Sequence, residues 1–364
     1  MKKKMQKILL LWLPLMMVMG FLLVASGTPA PVTKPIELNL SHIMSPVSYP
    51  HLAFQYYADK IYERTNGRVK ITVYASGVLS PPARVFESIE TGIADLGHHC
   101  PAYTPGPFPA SEACFLPLPA ANAWAFSRMG NDFYSHFTLK EIEKMRFLFN
   151  GGPGPYLIAT VNKPVLKPED LKGLKMRAIG PFVDLVKMWG GTPVSMPMGE
   201  VYEALSRKVI DGGILPWEAI AGFKFGEHIK YVTVAPVGVS FPGFFVMNLK
   251  KWNDLPKDIQ EVFNKTNQEM ITWYANAWQY GDLAGVKYFA GLPGRKILEI
   301  PEAGKQEWIN LAKPLTEKYI SEKTAMGLPA ADYVKYLWER GEYWNKNYIG
   351  DDKVTAWTEK ELKK

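Results

Sequence analysis

Cysteine is nearly absent. Cys100 and Cys114 are the only two in 364 residues, too few for a scaffold held by disulfides. Their separation leaves open whether they pair or are two buried small hydrophobic side chains. Catalytic signatures are absent as well: there is no His-Glu-x-x-His, no Gly-x-Ser-x-Gly and no Gly-x-x-x-x-Gly-Lys-Ser/Thr. Gly151-Gly-Pro-Gly154 is glycine-rich, but Pro153 removes an amide that a phosphate cradle needs, so the stretch reads as a turn. Carboxylate pairs such as Glu87 with Glu90 and Asp351 with Asp352 read as solvated helix faces. With no nucleophile beside an evident base, no enzyme is expected.

A strong charge of one sign is lacking too. The formal net charge is +7, and it falls to +3 once the four lysines Lys2, Lys3, Lys4 and Lys7 are set aside. That is too mild for nucleic-acid binding. Hydrophobic residues make up 47% and charged residues 21%, with no low-complexity tract, so the chain is globular rather than disordered. The four lysines precede an apolar run, Ile8 to Val24, and the small residues Ala25-Ser-Gly-Thr. This is the layout of a secretory signal peptide, assigned to residues 1–30. No second run of membrane-spanning length follows.

Beyond a Pro-rich linker the chain alternates strands and helices. Ile36 to His42 reads as a strand, Pro50 to Arg64 as a helix, Arg68 to Tyr74 as a strand, Pro81 to Thr91 as a helix and Ile93 to Gly97 as a short strand. That order predicts an open, largely parallel sheet. Cys100 to Ala120, rich in Pro, Gly and aromatics, reads as a surface loop. Tyr156 to Val161 reads as a strand carrying the chain into a second lobe. Lys257 to about Ala290 is a long helical pattern, weakened by Gly281 and Gly285 at about 1 kcal/mol each relative to Ala. The C-terminal Glu359-Lys-Glu-Leu-Lys-Lys reads as a solvated helix end.

An internal echo points to two lobes of one design. Val85-Phe-Glu-Ser-Ile-Glu-Thr-Gly-Ile-Ala-Asp-Leu-Gly97 parallels Val201-Tyr-Glu-Ala-Leu-Ser-Arg-Lys-Val-Ile-Asp-Gly-Gly213, with Val, Glu, Asp and Gly at matched positions. Two features could carry chemistry. His98-His99-Cys100 alternates on a strand, so His98 and Cys100 share a face that His99 does not. The remaining histidines offer no ligand-spaced partner, so no metal is expected there, and a polar cleft lining is the functional reading. Arg177 closes a strand-like segment, Leu171 to Ile179, where α/β folds place ligands. A guanidinium there can grip a carboxylate through two parallel hydrogen bonds.

Taken together, Pro168-Glu-Asp-Leu-Lys-Gly-Leu-Lys-Met-Arg177, Trp189-Gly-Gly-Thr-Pro-Val-Ser-Met-Pro-Met-Gly-Glu-Val-Tyr-Glu-Ala-Leu205, Val209-Ile-Asp-Gly-Gly-Ile-Leu-Pro216 and Phe245-Val-Met-Asn248 with Trp252 form a specific pattern. Val73-Tyr-Ala-Ser-Gly-Val-Leu79 and Gly92-Ile-Ala-Asp95 add to it. The sequence resembles the extracytoplasmic solute receptors of tripartite ATP-independent periplasmic (TRAP) transporters, from about Ile36 to about Asn347. The resemblance implies an α/β fold of the two-lobed periplasmic binding protein (Venus-flytrap) type, with a long helix spanning both lobes. It implies lobe I at 36–157 and 244–286, lobe II at 158–243 and 287–350, and a tail at 351–364. It implies a monomeric periplasmic receptor without cofactor that captures an organic acid and delivers it to a sodium-coupled integral-membrane TRAP permease. An ABC-type binding protein or a periplasmic sensor domain would share the shape.

The same resemblance makes Arg177 the carboxylate anchor. It puts His99, Cys100 and Tyr103 near the ligand from the first lobe, and Met198, Leu215, Trp217 and Phe241 around it from the second. Receptors of this family for sialic acid often carry Asn where Leu215 stands and a second Arg where Leu157 stands. Both departures argue against a sugar acid and for a small or aromatic monocarboxylate.

Overall fold

The structure, a computed structural model, describes residues 34–362. The signal-peptide assignment therefore lies outside the described residues. Among the described residues, eleven strands form two sheets. The first contains β1 (Ile36–Ser41), β2 (Val69–Tyr74), β3 (Leu96–His99), β4 (Met145–Gly151) and, much later in the chain, β10 (Gly243–Asn248), in the order β2-β1-β3-β10-β4. The second contains β5 (Leu157–Thr160), β6 (Lys175–Arg177), β7 (Thr192–Val194), β8 (Gly212–Leu215), β9 (Tyr231–Val234) and β11 (Lys296–Glu299), in the order β11-β9-β5-β8-β6-β7. Each is parallel apart from one strand that arrives from the other sheet. β10 runs antiparallel to β3 and β4, and β5 antiparallel to β8 and β9. The fold is thus mixed α/β and built on two sheets, as the expected two-lobed architecture requires.

The sequence echo has a structural counterpart. Each copy is a six-residue helix, Val85–Glu90 or Val201–Ser206, that leads into the central strand of its sheet, β3 or β8. Asp95 exchanges backbone bonds with β1: its N–H donates to Asn39 O at 2.9 Å, and its Oδ2 accepts from Asn39 N at 2.8 Å. Asp211 does the same on β6, donating to Lys175 O at 2.8 Å and accepting from Lys175 N at 2.8 Å. A carboxylate accepting the amide of the neighbouring strand extends the parallel ladder by one rung. The matched Asp is needed in both lobes because both use the same strand junction.

Two stretches differ from expectation. Residues 100–120 are not a surface loop. Phe108, Ala113, Cys114, Phe115, Leu116 and Leu118 are buried, with Phe108 against Phe86 and Phe244, and Phe115 against Phe241. Pro and Gly set the backbone course there, but the aromatics find partners far along the chain. Gly151–Gly154 is not a turn either, since β4 and β5 belong to different sheets and this stretch joins them. A Cβ on Gly152 would lie 2.4 Å from Pro242 Cα. The β4–β5 and β9–β10 connections between the sheets therefore pass backbone against backbone.

The long helix, Lys257–Ala290, packs its first half under the first sheet. Tyr274 meets Phe54 and Phe149, and Tyr57 meets Phe263 and donates to Asn267 Oδ1 at 2.8 Å. Its second half packs on the short helix Trp217–Gly222, beyond β8 of the second sheet. Glu359 to Leu362 are the largely exposed end of a helix, as expected; the earlier turns of that helix, Asp351–Leu362, lie on the long helix with Val354 and Thr358 buried and Trp357 against Trp273.

Candidate functional site

Arg177 is the last residue of β6 and is completely buried. Gly213 beside it on β8 makes the room: a Cβ there would stand 3.0 Å from Arg177 Cβ. Arg177 Nε donates to Met196 O at 3.2 Å, and Nη2 donates to the Tyr103 hydroxyl at 3.3 Å. Nη1 is buried without a partner. A guanidinium nitrogen left so is unfavourable by about 1–3 kcal/mol or more. Buried polar groups are almost always satisfied, so Nη1 is a donor open to an acceptor that the protein does not supply.

Tyr103 links this group to a cavity of about 60 Å³, lined by Ile43, Met44, His98, Cys100, Tyr103, Pro153, Tyr156, Ile179, Met198, Pro216, Glu218, Ala219, Phe223, Phe241 and Trp278. The walls come from β3 and the residue after it (His98, Cys100), the cap and first turn of the helix that follows β8 (Pro216, Glu218), the β4–β5 and β9–β10 connections (Pro153, Phe241) and the long helix (Trp278). No Lys or Arg is among them. Phe241 is fixed by stacking on Phe182 at 3.9 Å and by edge contacts with Phe115 and Tyr156.

Of the residues singled out from the sequence, Cys100, Tyr103, Met198 and Phe241 lie on this cavity, and Arg177 lies behind Tyr103. Three do not line it. His99 turns the other way on β3, bonds Thr104 Oγ1 at 2.9 Å and packs on Phe108 and Phe244. Its neighbour His98 faces the cavity instead. Leu215 is fully buried on β8, paired with Leu157 of β5. Trp217 packs on Phe289 of the long helix. Both cysteines are free and buried, and burial pushes the Cys100 thiol up to about 12. They are neither paired nor reactive.

Glu218 was not anticipated. It is buried, lines the cavity, and has Oε1 without a hydrogen-bond partner. Its backbone N–H donates to Asp282 Oδ1 at 2.9 Å, while Asp282 Oδ2 accepts from Gly154 N at 2.8 Å. Burial first, and then the Asp282 charge, raises the Glu218 carboxyl to about 8, with the Ser48 side chain acting the other way. Burial likewise raises Asp282 to about 6, against the two amides it accepts. The sequence signal for Glu218 is a single acid inside the apolar run Ile214-Leu-Pro-Trp-Glu-Ala-Ile220.

These shifts set a pH dependence. An acid whose folded-state value is raised favours folding fully below its unfolded value, near 4.5 for Glu218, and that stability is lost as pH rises toward 8. Buried His98 and His99, lowered by burial from 6.5 to about 4 and about 3, act oppositely and only below pH 6.5. Between pH 6.5 and 8, Glu218 therefore dominates these groups. Stability is expected to fall there by about 2 kcal/mol, and Glu218→Gln is expected to flatten that limb. Urea unfolding at both pH values checks this; equal losses in wild type and variant would count against the assignment.

Comparison with known proteins bears on the same geometry. The model of the bacterial extracellular solute-binding proteins, family 7, matches residues 40–323. A monocarboxylate 2-oxoacid-binding periplasmic protein of Nostoc sp. is 30% identical over 245 residues, 63% of this chain and 64% of its own. A TRAP solute-binding protein of Rhodoferax ferrireducens, solved with copurified benzoate, is 25% identical with a TM-score of 0.80, covering 85% of this chain and 99% of its own. A TRAP periplasmic solute-binding protein of Bordetella bronchiseptica, solved with bound (R)- and (S)-mandelate, is 26% identical with a TM-score of 0.78 over the same shares.

Proposed function

Because the chain belongs to the bacterial extracellular solute-binding proteins of family 7, we propose that it is the periplasmic receptor of a TRAP transporter and that it captures a small or aromatic monocarboxylate on Arg177. The observation that carries this reading is the buried, unpartnered Nη1 of Arg177 beside a mostly apolar cavity. A carboxylate offers two oxygens to a guanidinium in a matching plane, which a hydroxyl or an amide cannot do. The absence of Lys and Arg from the cavity wall favours one carboxylate over two. The benzoate and mandelate of the two solved relatives, and the name of the Nostoc protein, support the same class.

In this reading residues 1–30 direct export, and the mature chain works as a monomer without catalysis. Its lobes are 36–157 with 244–286, and 158–243 with 287–350. They close on the ligand about the connections at 152–156 and 235–242. Ligand contacts made only in the closed form shift the population toward it, and a sodium-coupled membrane permease accepts the loaded receptor. A thermal-shift panel of organic acids tests this. A monocarboxylate at a hundred times its dissociation constant is expected to add about 2.7 kcal/mol. A panel in which sugars or amines stabilise the protein and no carboxylate does would overturn the reading.

A further inference from the structure

We propose that Glu218 is the second polar determinant of ligand choice: its carboxylic acid donates a hydrogen bond to an oxygen of the ligand other than those held by Arg177. The receptor then selects hydroxy- or oxo-substituted monocarboxylates over their unsubstituted counterparts. This rests on the carboxylate reading above and narrows it.

The fold is shaped around this side chain. A Cβ on Gly281 would lie 3.0 Å from Glu218 Cγ, and one on Gly222 would lie 3.1 Å from Glu218 Oε1. The backbone of Glu218 is pinned to Asp282 at 2.9 Å, so the side chain leaves the helix start in a fixed direction. Oε1 is buried and has no protein partner, although the side chain lines the cavity. Like Arg177 Nη1, which lies behind the Tyr103 of the cavity wall, it is a buried polar atom without a protein partner.

The surroundings decide what Glu218 offers. Asp282 and Tyr274 from the long helix, Ser48 just before the helix Tyr49–Arg64 and Tyr156 ahead of β5 act on it, and Trp278 and His98 share its cavity wall. None is a cation at neutral pH, since burial holds His98 neutral. One of them, Asp282, is an anion. An ionised Glu218 would have no counter-charge beside it, since Arg177 stands behind Tyr103 and is not among the groups that act on it, and it would repel the ligand's own carboxylate. The protonated acid has a hydrogen to give and donates it to a ligand hydroxyl or carbonyl oxygen without that repulsion. A saturated or unsubstituted acid leaves the donor unused, which is the situation in which recognition by hydrogen bonding discriminates most.

Calorimetry on matched pairs tests the proposal: propanoate with lactate and pyruvate, phenylacetate with mandelate, and benzoate with 3-hydroxybenzoate. Wild type is expected to favour the oxygenated member of at least one pair by about 10–100-fold. Glu218→Ala should bring that pair within about twofold. Glu218→Gln, which keeps the shape and an N–H donor, should retain most of the preference, which separates a lost donor from a lost fold. Arg177→Lys should weaken both members alike. A preference that survives Glu218→Ala, is abolished by Glu218→Gln, or is absent from every pair that binds overturns the role of Glu218. If none of these acids binds wild type, the carboxylate reading itself fails, and this inference with it.

Discussion

Arg177→Ala is expected to weaken binding of the cognate acid by about three orders of magnitude while leaving the unliganded protein folded. The loss follows from two charge-assisted hydrogen bonds at about 2 kcal/mol each, or about 4 kcal/mol together. It is undiluted by solvent because the guanidinium is wholly buried. The effect on stability has opposing parts. Truncation removes the bonds to Met196 O and the Tyr103 hydroxyl and opens a cavity. It also removes a buried cation with a nitrogen that nothing in the protein satisfies. The melting temperature without ligand should therefore move far less than the affinity. Arg177→Lys retains the charge but not the fork and should fall between wild type and alanine. Calorimetric titration with whichever acid stabilises wild type most is the decisive measurement. An alanine variant that binds as tightly as wild type would remove Arg177 from the site.

Arg177 stands out in the sequence and Glu218 does not, for a physical reason. Arg177 closes a strand whose partner, β8, carries the echo of Asp95 in Asp211 and the small Gly213 against which the arginine stem packs. These are local regularities with fixed spacing. Glu218 depends on Asp282, 64 residues away, and on the absence of a side chain at Gly281. Neither relation leaves a mark near residue 218. The same distinction explains the 100–120 segment. Its Pro and Gly content is local and suggested a loop, whereas its burial comes from Phe86, Phe241 and Phe244, which belong to other elements. Strand alternation separated His98 from His99 correctly, but periodicity says only that two faces differ. Which face meets the cavity is set by how β10 and the connection before it lie across β3. Leu215 and Trp217 flank the right strand end, yet the cavity takes Pro216 and Glu218 from between and beside them.

Gly285→Ala is expected to destabilise the protein by about 2 kcal/mol, although helix propensity alone predicts a gain of about 1 kcal/mol. The long helix and the helix start at Trp217 meet at this glycine. A Cβ on it would lie 2.2 Å from Trp217 O and 2.5 Å from Trp217 C. These are backbone atoms, so no rotamer change relieves the clash, and the helices must separate. Overpacking of a rigid contact is unfavourable by roughly 1–3 kcal/mol and sometimes more, which here outweighs the propensity term. Separation also pulls on Glu218 N and its bond to Asp282, so ligand affinity should fall with stability. Gly281→Ala meets Glu218 Cγ at 3.0 Å, a side-chain atom with some freedom, and should be milder. Gly304→Ala finds only Ile300 Cγ2 at 3.5 Å, an ordinary contact, and should be neutral or slightly stabilising. Thermal melts of the three variants therefore have a required order. A Gly285→Ala protein as stable as wild type would show that the two helices are not held at this spacing, and that the glycines of the long helix are the simple weaknesses they seem from propensity.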